Sequence, residues 1–96
     1  MPGMDIRAQF GIGLQRLRRA HGLSQEALAA DTEIDRAYVG RLERGEANPT
    51  LLLLGRIAAC LNVPVSELLC EIRLDVEGAL PTPKPSRRQR RSGPAS

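Results

Sequence analysis

The chain has 96 residues, with a hydrophobic content of 42%, an aromatic content of 2% and a formal net charge of +3. Five of its 14 basic residues follow Glu77 and no acidic residue does, so residues 1–77 alone carry a net charge of −2. This length excludes more than one small domain, and the charge excludes nucleic-acid binding driven by bulk basicity of the body.

The scarcity of aromatic residues and the presence of only two cysteines limit the fold classes and the metal sites that the chain can form. A core without many aromatics must consist of leucine, isoleucine, valine and alanine, which favours packed helices over a sheet. Cys60 and Cys70 have no histidine or further cysteine at metal-ligand spacing, so we expect no metal or other cofactor. A disulfide between them is possible, but packed thiols in a reducing cytosol are favoured. Without a membrane-length apolar run or a signal peptide, we expect a cytoplasmic protein with no membrane partner.

Apolar periodicity predicts two helices after an N-terminal arm over residues 1–9. The first covers 10–21 and would end at Gly22. Its inward residues are Phe10, Leu14 and Leu17. Ser24 would cap the second helix, whose inward residues are Leu28 and Ala29.

Three more short helices follow. Ile34 precedes a third helix that Asp35 would cap and that would run to about Arg44, with Val39 and Leu42 facing inward. Thr50 would cap the fourth helix and Ser66 a short fifth one that ends at Leu69. The fourth helix keeps the 3.6-residue period through Leu51, Leu54, Ile57, Ala58 and Leu61. We therefore predict a compact all-α domain of five helices over residues 10–69.

Residues 70–96 differ in their sequence pattern from residues 10–69. Charged and apolar residues alternate over 71–77, which indicates a strand or dimerisation segment at 70–77, although helical spacing also fits Leu68, Ile72 and Val76. A lone strand would need a second copy of the chain or another protein as its partner. Residues 78–96 are rich in proline, glycine, serine and arginine, which predicts a disordered basic tail.

Residues 25–44 form the pattern of two short helices joined by a tight turn, a helix-turn-helix. The stretch "LSQEALAADTEIDRAYVGRLERGEANPTLLLLGRIAACLNVPVSELL" resembles the lambda-repressor-like, Cro-type helix-turn-helix regulators. This resemblance covers residues 10–69 and implies that the helix from Asp35 to Arg44 lies in the major groove of DNA.

On that resemblance, three residues match positions that face base edges. They are Arg36, Ala37 and Arg41. Together with Gly40 they lie opposite Val39 and Leu42 on a helix, and an arginine can give two hydrogen bonds to one guanine. Gly40 would either let the backbone approach the groove or be a tolerated surface glycine.

The resemblance also implies contacts to the DNA backbone. The candidates are Ser24, Gln25, Tyr38, Arg44 and Asn48. For Tyr38, packing at the helix edge is the alternative. Arg18 and Glu43 match an inward ion pair between the first and third helices, with two solvated charges as the alternative. Glu33 stands where the family usually has glycine, so either a left-handed backbone there costs roughly 1 kcal/mol or the turn differs slightly from that of the family.

The leading hypothesis is a non-enzymatic regulator of transcription that binds double-stranded DNA as a homodimer. No catalytic set appears, and the chain has no room for a separate small-molecule domain. The candidate dimer residues are Leu52, Leu53, Ile72, Leu74 and Val76.

A narrower version of the regulator hypothesis is a restriction–modification controller. The alternatives are an antitoxin whose C-terminal segment binds a partner protein, and nonspecific nucleic-acid binding through Arg87–Arg91.

Overall fold

Short apolar-striped segments separated by caps and turns fold into five α-helices within residues 4–73, the part of the chain that the computed structural model describes. They are α1 (Ile6–Ala20), α2 (Gln25–Thr32), α3 (Arg36–Glu43), α4 (Leu51–Leu61) and α5 (Val65–Leu69). α1 packs against α3 and α5, α2 packs against α3 and α4, and α4 packs against α5. The predicted five-helix fold is confirmed for these residues.

α1 begins four residues before its predicted start, so residues 6–9 belong to the helix and not to an N-terminal arm. The Asp5 carboxylate caps this helix by accepting a hydrogen bond from the Arg7 amide at 2.7 Å. Hydrogen bonds from the side chain and the amide of Arg7 lower the pKa of Asp5 to about 2. Ile6 stands four residues before Phe10 and extends the apolar stripe, which was the overlooked signal.

The predicted caps of the later helices were right in two cases. The Ser24 and Thr50 hydroxyls accept hydrogen bonds from amides three residues later, at 3.0 and 3.1 Å. Asp35 occupies the cap position of α3 but makes no side-chain cap bond. The prediction for Ser66 was wrong, because α5 begins one residue earlier, after Pro64. Proline has a preset backbone angle that suits this boundary.

The turn between α2 and α3 contains the left-handed backbone considered for Glu33, with φ 61° and ψ 41°. The Ile34 amide donates to the Ala29 carbonyl at 3.0 Å, which closes the end of α2. A residue other than glycine in this conformation costs roughly 1 kcal/mol. The turn therefore contains a backbone conformation that favours glycine, at some cost in stability.

The core lies where the inward faces of the helices meet. Its buried apolar residues are Phe10, Leu14, Leu28, Ala29, Val39, Leu42, Ala47, Ile57, Ala58, Leu61 and Leu68. Leu17, Ile34 and Leu54 are half-buried against it. The apolar period of α4 predicted that Leu51 faces the core, and this was wrong. Leu51 is the first residue of α4 and its side chain is 76% exposed.

The chain returns to α1 after α5. The side chain of Gln9 makes two hydrogen bonds to the backbone of Arg73. It accepts from the Arg73 amide at 2.7 Å and donates to the Arg73 carbonyl at 3.3 Å. Residues 71–73 form a turn and irregular backbone. The rest of the predicted strand and the tail at 78–96 lie outside the described residues, as do dimer candidates Leu74 and Val76 and the Arg87–Arg91 cluster.

Candidate nucleic-acid interface

α3 has an apolar face and a polar face. Val39 and Leu42 are 0% and 1% exposed and fix the helix to the core. Arg36, Ala37 and Arg41 are all exposed. The structure therefore brings the three candidate base-reading residues together on one accessible side of a helix.

Arg41 is held by two neighbours. Its guanidinium carbon lies 5.8 Å from the centre of the Tyr38 ring, within the range of a cation–π interaction. Its Nη2 donates to the backbone carbonyl of Glu46 at 3.1 Å. Tyr38 itself is half-buried and packs against the core, so its ring both supports α3 and orients Arg41.

Gly40 does not lie open on the outward face, contrary to the expectation from helix geometry alone. It is buried, and a Cβ placed on it would stand 3.1 Å from Nη1 of Arg44 and 3.9 Å from Oε1 of Gln25. Residues four apart stack along a helix, so Arg44 folds back into the space that a side chain on residue 40 would occupy. Nε of Arg44 also pairs with the Glu46 carboxylate at 3.2 Å.

The first turn of α2 forms one wall of a polar cavity of about 320 Å³. Its lining residues are Arg18, Ser24, Gln25, Glu26 and Arg36. The Ser24 hydroxyl already caps α2, and Nε2 of Gln25 donates to Oε1 of Glu43 at 2.9 Å. Gln25 thus links α2 to α3, and the second N–H of its amide can serve another acceptor, such as a phosphate.

Arg18 and Glu43 form a bidentate ion pair between α1 and α3. Nε and Nη2 of Arg18 donate to the two carboxylate oxygens at 2.6 and 3.0 Å, and the two side chains are 8% and 2% exposed. Nη1 of Arg18 donates to the Leu23 carbonyl at 2.8 Å. Burial alone would raise the pKa of Glu43, but hydrogen bonds from Arg18, Gln25 and Gln15 outweigh it and lower that pKa.

Exposed apolar side chains also occur on α4 and α5. Leu51 and Leu52 are 76% and 84% exposed, and Leu69 is 36% exposed. Leu53, the neighbouring dimer candidate, is half-buried against the core. An open groove of about 400 Å³ is lined by Ile6, Arg7, Phe10, Asn48, Pro49, Leu54, Leu69 and Ile72. Asn48 is exposed at this groove, whereas Arg44 lies along α3.

Sequence patterns did not point to Glu46, Gln15 or Gly11. Gln15 donates to Glu43 at 3.4 Å, and Gly11 lies where α1 touches α3. Gly11 could have been found, because a glycine inside a helical apolar stripe often marks a close approach. Glu46 carried no such signal.

The cysteines are free, with Cys60 half-buried and Cys70 exposed, and burial beside Asp31 raises the pKa of Cys60. Within residues 4–73, no three or more histidine, cysteine, aspartate and glutamate side chains cluster in a way that could hold a metal ion. The helices of the same range are too short or too polar to cross a bilayer.

The helix-turn-helix family HTH_3 matches residues 14–68 of the chain. Control protein C.MunI from a Mycoplasma species is 41% identical over 69 residues, which cover 71% of this chain and 93% of that protein. The uncharacterized HTH-type transcriptional regulator y4dJ from Sinorhizobium fredii is 41% identical over 66 residues, which cover 69% and 86% of the two chains.

A solved structure is similar as well. The restriction-modification controller protein C.AhdI from Aeromonas hydrophila superimposes with a TM-score of 0.63 at 44% sequence identity, covering 65% of this chain and 94% of that one. The segment that HTH_3 matches contains the α2–turn–α3 unit and every candidate base and phosphate contact named above.

Proposed function

Since the chain belongs to the helix-turn-helix family of DNA-binding transcription regulators, we propose that it binds a near-palindromic operator as a homodimer, with α3 in the major groove. The family acts by binding DNA and not by catalysis. The observation that carries this proposal is the pair of exposed arginines on α3, opposite the buried Val39 and Leu42.

Arg36, Ala37 and Arg41 read bases in this proposal. Either guanidinium can donate to O6 and N7 of a guanine, and the methyl group of Ala37 can contact that of a thymine. The cation–π contact and the carbonyl of residue 46 restrict Arg41 before DNA arrives, which lowers the entropy lost on binding.

In the same proposal, the residues that contact the DNA backbone are Ser24, Gln25, Tyr38, Arg44 and Asn48. The polar cavity beside the first turn of α2 supports this assignment, because amides at a helix N-terminus favour a phosphate. Such contacts set register and affinity, whereas base contacts set sequence preference.

Substitution of Arg36 by alanine tests the role of α3. We expect a loss of about 1–3 kcal/mol in binding free energy and a relaxed preference at one base position in each half-site. Selection of bound sequences from random duplexes measures both effects for the wild type and the variant. Arg16→Ala, on the outer side of α1 where Arg16 pairs with Glu71, is the matched control and should keep the wild-type sequence preference. A uniform loss across all sequences for Arg36→Ala would instead make it a phosphate contact.

Homodimerisation through α4 and α5 is supported by the exposed apolar side chains of Leu51 and Leu52 on α4 and of Leu69 on α5. A symmetric dimer would place the two α3 helices about 34 Å apart, one turn of DNA.

We expect Leu52→Glu to weaken the dimer at least tenfold, because it puts a charge at an apolar contact. Sedimentation equilibrium measures the dissociation constant. Ile12→Glu changes a 42% exposed apolar residue on α1 and serves as the control that should leave association unchanged. Equal weakening by both variants would contradict an interface on α4.

The narrower function that the comparisons favour is control of a restriction–modification system, because C.AhdI is by name a restriction-modification controller protein and C.MunI is by name a control protein. A gene for a methyltransferase or an endonuclease beside this one, with the selected sequence upstream of it, would support this function. An operator elsewhere in the genome would exclude it.

A further inference from the structure

The loop that follows α3 contains one acidic residue, Glu46, which contacts Arg41 near the end of the helix and Arg44 at its C-cap. Its carboxylate pairs with Nε of Arg44 at 3.2 Å, and its backbone carbonyl accepts from Nη2 of Arg41 at 3.1 Å. The Arg44 and Glu46 side chains are 59% and 54% exposed, so water and DNA can reach both. One residue thus holds a base-reading candidate through its backbone and a phosphate candidate through its side chain.

We propose that the Glu46 carboxylate is an internal competitor of DNA phosphate for Arg44, and so limits affinity without altering sequence preference. This inference rests on the proposed contact between Arg44 and the DNA backbone. A guanidinium binds a carboxylate and a phosphate with the same planar set of N–H donors, so the two anions compete. When Arg44 takes a phosphate, Glu46 loses its partner and faces the negative charge of the duplex.

The size of the effect follows from the exposure of the pair. Exposed ion pairs contribute up to about 1 kcal/mol, which corresponds to a change of roughly fivefold at most. Removing the competing charge should therefore strengthen DNA binding about two- to fivefold. Because Arg44 would contact phosphate, the gain should be the same for the operator and for DNA of unrelated sequence.

Salt dependence gives a second signature. Each phosphate contact releases counterions from DNA, but a carboxylate set free in the same step takes up a cation. The wild type should consequently show a shallower fall of affinity with salt than a protein without this carboxylate. The difference in slope should be below one ion, because only one phosphate contact is involved.

Glu46→Gln removes the charge and keeps the backbone carbonyl that holds Arg41, so it separates the two contacts. We expect binding two- to fivefold tighter both to the selected operator duplex and to a random-sequence duplex, with a steeper salt slope. Fluorescence anisotropy with labelled duplexes at several salt concentrations measures all of these. Glu67→Gln, at an exposed position on α5, is the matched control for net charge and should change affinity less.

Arg44→Ala and the double variant Arg44→Ala/Glu46→Gln complete a double-mutant cycle. If Glu46 acts through Arg44, Glu46→Gln should have no effect beyond that of the control when Arg44 is absent. An unchanged affinity in Glu46→Gln, or an equal gain with and without Arg44, would overturn the inference. If Arg44→Ala itself leaves binding unaltered, the proposed phosphate role of Arg44 fails, which is a separate outcome.

Discussion

Replacing Arg18 with methionine is expected to lower the free energy of unfolding by about 3–5 kcal/mol, the range for a buried ion pair that loses one member. Methionine keeps part of the aliphatic volume but leaves the Glu43 carboxylate, 2% exposed, without its charged partner. The hydrogen bond from Arg18 to the Leu23 carbonyl is lost as well. Chemical denaturation followed by circular dichroism measures the difference.

This deficit should be largest near neutral pH and shrink in acid. In the wild type the pKa of Glu43 is lowered, so its stabilising contribution is present above the ordinary value of 4.5 and is lost as the pH falls through the folded-state pKa. In Arg18→Met, burial still raises the pKa of Glu43 while the contributions of the arginine that lower it are gone, so we expect this pKa to lie above that of the wild type. Protonation therefore relieves the variant in acid while it destabilises the wild type. A deficit that stays constant from neutral pH to about pH 4 would contradict this account.

The double variant Arg18→Met/Glu43→Leu separates the stranded charge from simple loss of packing. Since two apolar residues can replace a buried ion pair at little cost, most of the lost stability should return. A double variant as unstable as Arg18→Met would show that the arginine stem, and not the charge of Glu43, is what the core requires.

Gly11→Ala is expected to be the second most damaging substitution, costing at least about 2 kcal/mol. A Cβ on Gly11 would lie 2.5 Å from the Glu43 carbonyl oxygen and 2.6 Å from that of Leu42. Both atoms belong to the backbone of α3, so only movement of the whole helix could relieve the clash. Overpacking of this kind costs about 3 kcal/mol, against which alanine gains about 1 kcal/mol of helix propensity. Thermal unfolding measures the outcome.

Gly55→Ala provides the matched control in another helix. Nothing lies within 4 Å of a Cβ at Gly55, so alanine there should stabilise the protein by about 0.5–1 kcal/mol. Gly11→Ala should in addition weaken DNA binding, because displaced α1 and α3 shift Arg36 and Arg41 relative to α2. Wild-type stability in Gly11→Ala would mean that the two helices can separate without loss.

Most of the helical framework could be predicted, because burial imposes a period on the chain. The spacing of Val39 and Leu42, and of Ile57 and Leu61, follows directly from one-sided packing. The errors in the predicted helices lie at the helix ends. Asp5 was not recognised as a cap, and Leu51 keeps the period but is 76% exposed at the first position of α4.

The interface was predicted less completely, because the side-chain arrangement depends on contacts between residues distant in sequence. Helix geometry alone placed Gly40 outward, yet it cannot show that Arg44 would fold back across it. Gln25 donates to Glu43, 18 residues away, a pairing that no local pattern encodes. Glu46 influences both arginines from an irregular loop, where periodicity gives no information.

The single tyrosine of this chain, in a sequence with no tryptophan, has a practical consequence for spectroscopy. Ultraviolet emission from the native protein originates on α3, from a ring whose centre lies 5.8 Å from the guanidinium carbon of Arg41. Intrinsic fluorescence therefore reports on that helix alone, without a dye or an introduced chromophore. Titration with an unlabelled duplex can follow the surroundings of Tyr38 directly.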